Sequence, residues 1–110
     1  MLGKSYVRGT MNNTEKAWAD ELMLAFNADE IAWWAYEPVK LYLTDGKKTS
    51  YTPDFMVRMN DGKIRFDEVK GFWRDDARVK IKVAAFRYPF FSFQAMSMLR
   101  KGKGWKIEQF

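Results

Sequence analysis

The sequence predicts one α/β domain in which a helix precedes a mixed, twisted β-sheet and a second helix flanks that sheet. Apolar residues recur at helical spacing in two separate stretches, alternate along the stretches between them, and meet at a strong hairpin signal, Asn60-Asp61-Gly62. With 110 residues, 47% of them hydrophobic and 17% aromatic, the chain has apolar material for a single core.

Taken in order, residues 1–12 read as a flexible basic arm and residues 13–110 as the domain. Asn13 or Thr14 is the expected N-cap of a first helix running to about Asn27, in which Trp18, Leu22, Ala25 and Phe26 form a stripe that should face the sheet. IAWWAYEPVKLYL reads as a strand, with Val39, Leu41 and Leu43 alternating, and TDGKKTS as the turn after it. Strands at about 51–59 and 64–70 flank the hairpin turn. Asp75-Asp76 is placed to cap a second helix that Pro89 stops near Arg87, with Ala77, Ile81, Ala84, Ala85 and Tyr88 as its core stripe. FFSFQAM is a further core-type strand, and WKIEQF a last short one beyond KGKG.

Composition narrows the chemistry. The chain has no Cys and no His, so disulfides, thiolate nucleophiles, Cys-rich zinc sites and the commonest general base are excluded. Catalysis here must use carboxylates, Lys, Tyr or a hard, oxygen-seeking cation. No stretch reaches the roughly 20 apolar residues of a membrane span, and MLGKSYVRGT lacks the apolar region of a secretory signal, so a cytoplasmic protein without a membrane partner is expected. The net charge of +5 is unevenly spread: residues 1–68 carry 9 basic and 11 acidic side chains, residues 69–110 carry 10 and 3. A field of that kind attracts polyanions, and it equally suits a solvated basic surface.

The hairpin strand IRFDEVK poses the functional question. Residues two apart share a face, so Glu68 and Lys70 point the same way as Ile64 and Phe66. Charges at that position need compensation from each other, from a metal or from an open cleft. A Glu–Lys salt bridge at a strand end satisfies the first option. Asp54, after Pro53 in the preceding strand, opens the others, because the hairpin brings it beside Glu68. Two carboxylates at neighbouring strand ends suit Mg²⁺ or Mn²⁺, with the Val69 backbone carbonyl as a further ligand and Lys70 placed to stabilise charge on a phosphoryl group. That set suffices for metal-assisted phosphodiester hydrolysis.

Pro-Asp-Phe at 53–55 followed by Glu-Val-Lys-Gly at 68–71 resembles the signature of the PD-(D/E)xK nuclease superfamily. TEKAWADEL, YEPVKLYL, YTPDF and EVKGFWRDDARVK further resemble the bacteriophage endonuclease I type of Holliday-junction resolvase, and the chain is also similar to small phage nuclease-like proteins. The resemblance, over roughly residues 14–90, implies a restriction-endonuclease-like core, Asp54 and Glu68 as metal-binding carboxylates and Lys70 as the motif lysine. It also implies a helical glutamate, Glu15 or, six residues on, Glu21. Arg74, Arg78, Lys80 and Lys82 would then lie beside the scissile DNA strand, although a routine surface helix has the same charges. Junction resolution takes two cuts and so implies a homodimer acting in DNA recombination. The chain departs from the resolvase pattern in lacking a longer basic extension after FFSFQAM, so a domain-exchanged dimer is not carried over. Trp73 and Trp105 suit stacking on bases or wedging a junction, and equally packing in the core, which is commoner for aromatics in so small a domain; neither role is assigned to them. A non-catalytic nucleic-acid-binding module and the nuclease subunit of a larger complex stand as alternatives.

Overall fold

Prolines and one left-handed residue decide where this chain stops pairing. The computed structural model describes residues 10–71, 73, 75–100 and 102–110. Most of the expected basic arm, residues 1–9, and the expected DNA contact Arg74 lie outside the described residues. Helix α1 spans Asn13–Asn27, and its N-cap is Asn12 rather than Asn13 or Thr14. The Asn12 side chain accepts from the Glu15 N–H at 2.8 Å while Glu15 Oε1 accepts from the Asn12 N–H at 2.9 Å. Such a reciprocal cap contributes about 1 kcal/mol.

The expected long strand over 31–43 is two strands, β1 (Trp33–Tyr36) and β2 (Leu41–Tyr42). Glu37 between them adopts φ 48°, in the left-handed region, and Pro38 follows without an N–H to donate. The expected strand over 51–59 divides in the same way at Thr52-Pro53, into β3 (Ser50–Tyr51) and β4 (Phe55–Arg58). Strand β5 (Ile64–Val69) follows the predicted hairpin, in which Gly62 at φ 89° takes the left-handed position of the turn. Helix α2 (Asp75–Arg87), β6 (Ser92–Met98) and β7 (Trp105–Gln109) complete the order. Asp75 is the first residue of α2, so the expected Asp75-Asp76 cap sits inside the first turn.

The main sheet has the order β1-β4-β5-β6-β7, with β5 at its centre, and β2-β3 form a separate two-stranded sheet. Only the β5–β6 pair is parallel, because α2 carries the chain back across the sheet between them; the other pairs are antiparallel. Both faces of the sheet are covered. Phe55, Val57, Val69 and Met96 pack with Trp18 and Leu22 of α1. Phe66, Phe93 and Ala95 pack on the other face with Ile81 and Ala84 of α2 and with Leu41 and Tyr51 of the small sheet. Phe66 is fully buried between Phe93 and Phe91, at ring-centroid distances of 5.4 and 5.3 Å. Truncating it to Ala would cost about 3–5 kcal/mol. Trp105 meets Trp18 edge-on at 5.0 Å, and Trp105 and Trp73 are partly buried, each against one of the two clusters. No helix among the described residues is long and apolar enough to cross a membrane.

Candidate active site

Among the described residues four acidic side chains are buried, and the contrast between them locates the site. Asp67 on β5 points to the α1 face and is fully compensated there. Arg65 reaches its two oxygens at 2.7 and 2.9 Å, and the Trp18 indole N–H donates to it at 3.0 Å. A buried carboxylate held by a guanidinium in that way is a structural element. The other three, Glu15, Asp54 and Glu68, have no such guanidinium among the described residues.

Asp54 stands directly before β4, where the Pro53 break ends the small sheet and starts the main one. Its Oδ2 accepts from the Val69 N–H at 2.8 Å, which ties the Asp54 carboxyl to the end of β5. Burial, reinforced by the neighbouring Glu68 charge and to a smaller degree by Glu15, pushes its pKa up to about 8; the Val69 N–H and the Lys70 cation only partly offset this. The Asp54 carboxyl is therefore mostly protonated at neutral pH in the metal-free protein. Among the described residues it has no ion-pair partner.

Glu68 points to the α2 face, as strand parity predicts. Its Oε1 accepts from the Tyr51 hydroxyl at 2.8 Å, and its Oε2 pairs with Lys70 Nζ at 3.0 Å. Burial and the Glu68 charge hold the Tyr51 phenol far above its ordinary range, so it acts as a fixed donor. The Lys70 N–H continues the parallel ladder to the Met96 carbonyl at 2.9 Å, which aims its side chain along the same face as Glu68. Lys70 Nζ also lies 5.7 Å from the centroid of the Trp73 ring. The expected salt bridge is present, and so is the second carboxylate beside it.

Glu15 and Glu21 separate clearly. Glu15 is buried at the start of α1, where its Oε1 accepts from the Tyr36 hydroxyl at 3.0 Å as well as from the Asn12 N–H. The Tyr36 phenol is raised by burial and by Glu15, with smaller contributions from Glu37 and Asp54. Glu21 is exposed and lines a different groove of about 600 Å³ with Leu24, Ala25, Met59 and Arg65. The structure brings Glu15, and not Glu21, toward Asp54.

On the α2 side, Glu68 and Lys70 open into a cleft of about 360 Å³ walled by Tyr51, Thr52, Ala77 and Lys80. Asp54 does not line it. Lys80 is exposed at the mouth and Lys82 is exposed further along α2. Arg78 is partly committed elsewhere: its guanidinium lies 4.2 Å from the Trp73 ring centroid and bonds Glu108 at 3.2 and 2.9 Å, which holds the Glu108 carboxyl below its usual range.

Sequence reasoning missed Tyr36 and Tyr51. Each is a strand residue with a hydroxyl on a site carboxylate, and parity would have found Tyr51 only once the Pro53 break was known. Among the described residues, no three acidic side chains gather closely enough to hold a metal ion alone. A hard cation held by Asp54 and Glu68 would take its remaining ligands from backbone carbonyl, with Val69 the nearest candidate in sequence, and from water. The two carboxyls suit such an ion, since burial and the Glu68 charge together raise Asp54 and a dication would offset both. The chain matches no family model, no curated protein and no solved structure.

Proposed function

We propose that this protein is a Mg²⁺- or Mn²⁺-dependent endodeoxyribonuclease with a restriction-endonuclease-like core. The observation that carries the reading is a buried, cation-poor Asp54 beside Glu68 at the ends of adjacent strands, with Lys70 on the face of Glu68. A fold keeps a carboxylate at that cost where the site uses it. Asp54 and Glu68 hold the metal, which supplies a polarised water and neutralises charge on a scissile phosphate. Lys70, freed from Glu68, stabilises charge developing on the phosphoryl oxygens. Glu15 orients water from the α1 side, held in place by Tyr36 and its own helix cap. Tyr51 fixes the rotamer of Glu68.

Branched DNA is the favoured substrate, on the likeness of the motifs to junction-resolving enzymes, and paired cuts on a junction call for a homodimer. The basic half of the chain supports a polyanionic partner. One observation favours a second reading, a nuclease subunit switched on by a partner: both oxygens of Glu68 are already engaged, so the site as it stands is latched.

The test is cleavage of a labelled four-way junction, a matched duplex and a single strand with Mg²⁺, Mn²⁺ or EDTA, alongside Lys70→Ala. Cutting confined to the metal lanes and lost in Lys70→Ala upholds the proposal. Cutting that persists in EDTA or in Lys70→Ala overturns it. No cutting under any metal moves the partner-dependent subunit to first place.

A further inference from the structure

Helix α2 buries Ile81 and Ala84, and its opposite face is not the polar surface that position predicts. Val79, Val83 and Phe86 stand at i, i+4 and i+7 on that outward face, and Phe90 follows just past the helix end; all four are exposed, Phe86 at 89% and Phe90 at 79%. Phe90 is braced edge-on by Phe91 at 6.3 Å, and Phe91 is itself packed on Phe66. At 100° per residue, Lys82 flanks one side of this stripe and Lys80 and Arg87 the other, all exposed. Arg87 pairs with Asp45 at 2.6 Å, but Asp45 is nearly fully exposed and such a pair is weak.

From this arrangement we infer that the outward face of α2 binds unpaired bases of a nucleic-acid strand, with Phe86 and Phe90 as stacking platforms and Lys80, Lys82 and Arg87 on its phosphates. Aromatic rings interleaved with cations are what single-stranded binding requires. The charge pattern selects this occupant over a second copy of the chain. Isologous pairing over the stripe would set Lys80, Lys82 and Arg87 of one copy against the same three of the other. Position selects it too: Lys80 lies both on the stripe's flank and at the mouth of the Glu68–Lys70 cleft. Phe86 is six residues, or about 9 Å, further along the helix, two to three nucleotide steps at roughly 3.4 Å per step. The inference rests on the nuclease reading for the identity of the strand held in that cleft. It adds a substrate class: DNA with unpaired bases a few nucleotides from the scissile phosphate.

The experiment measures binding of the full chain, in Ca²⁺, to a labelled single strand and a blunt duplex of the same length. Wild type is compared with Phe86→Ala/Phe90→Ala and Phe86→Leu/Phe90→Leu. Both pairs of substitutions fall on exposed rings and should leave the circular dichroism spectrum unchanged. Loss of a stacked ring weakens single-strand affinity roughly tenfold or more, so both variants should lose on the order of 10- to 100-fold on the single strand and less than about twofold on duplex. The Leu variant is decisive because it keeps apolar area and removes the ring face. Single-strand affinity surviving in that variant overturns the inference. So does a wild-type dimer that the Ala variant dissolves, or binding to phosphatidylserine vesicles that Leu supports and Ala abolishes. Cleavage plays no part in the readout. A chain that cuts nothing yet loses single-strand binding with its rings would overturn only the reading of a nuclease active on its own.

Discussion

Replacing Asp54 by Asn should stabilise the metal-free protein and end its activity. In EDTA, the Asp54 carboxyl moves from its ordinary value near 3.8 in the unfolded chain to about 8 in the fold. Because the folded value is the higher one, the folded state favours the protonated acid. Its contribution is intact below about pH 4 and is lost as pH rises through 8. At about 1.4 kcal/mol per pH unit, the loss over that window is at most roughly 6 kcal/mol. Asn keeps the shape and the acceptor for the Val69 N–H but carries no charge to desolvate. The difference between variant and wild type should therefore be near zero at pH 4 and grow to several kcal/mol by pH 8. Urea denaturation in EDTA at fixed ionic strength measures it directly, and buffer effects common to both proteins cancel. With Mg²⁺ at 100 times Kd the gap at pH 8 should narrow by about 2.7 kcal/mol, since wild type gains that much and the variant lacks a ligand. Stability curves that run parallel in pH, or a variant less stable than wild type at pH 8 in EDTA, would refute both the buried charge and the reason given for it.

Four further outcomes are expected. Glu68→Gln should cut no substrate while binding DNA in Ca²⁺ at least as tightly as wild type, read by electrophoretic mobility, because the basic surface is untouched. Lys70→Ala should lower kcat by about 100-fold or more with DNA affinity in Ca²⁺ little changed, since it removes charge stabilisation at the phosphoryl group. Tyr51→Phe deletes the donor to Glu68 Oε1; the Mg²⁺ concentration for half-maximal cleavage should rise about 10-fold or more, and an unchanged metal requirement would leave Tyr51 with a packing role only. Lys82→Ala should weaken binding and lower the salt slope by about 0.7 on a single strand and by up to about 0.9 on duplex, whereas an unchanged slope on both would remove Lys82 from the interface.

The two helices and the hairpin were legible because each rests on local chemistry: the stripe of Trp18 and Leu22, the stripe of Ile81 and Ala84, and the glycine that accepts φ 89° after Asn60-Asp61. Asp54, Glu68 and Lys70 were legible for a similar reason, since strand parity and a short hairpin fix which side chains can meet. What the sequence hid is non-local. IAWWAYEPVKLYL carries strand-forming residues throughout, and only the left-handed turn at Glu37 sends its second half to a separate sheet. That departure brings Tyr51 over Glu68, so the missed strand break and the missed tyrosine are one error. Asp67 interrupts the apolar pattern of β5 on the α1 face. The interruption is cancelled by Arg65 and Trp18, which lie two residues away and forty-nine residues away.

The same comparison of carboxylates bears on what Glu15 is for. One oxygen of Glu15 takes both the N-cap N–H of α1 and the Tyr36 hydroxyl, so the side chain closes a helix and faces the site at once. A purely structural cap needs neither burial nor Tyr36, because the capping box closes equally well in solvent. A purely catalytic glutamate needs no cap. The combination fixes the carboxylate by two donors from different elements, so α1 cannot shift relative to β1 without moving it. Glu15→Gln separates the contributions. The amide oxygen still accepts from the Asn12 N–H and the Tyr36 hydroxyl, so a stability change within about 1 kcal/mol is expected, while the negative charge next to Asp54 is gone. If Glu15 acts only as a cap, cleavage and its metal dependence will follow wild type; if it orients water at the carboxylate pair, kcat will fall with the fold intact.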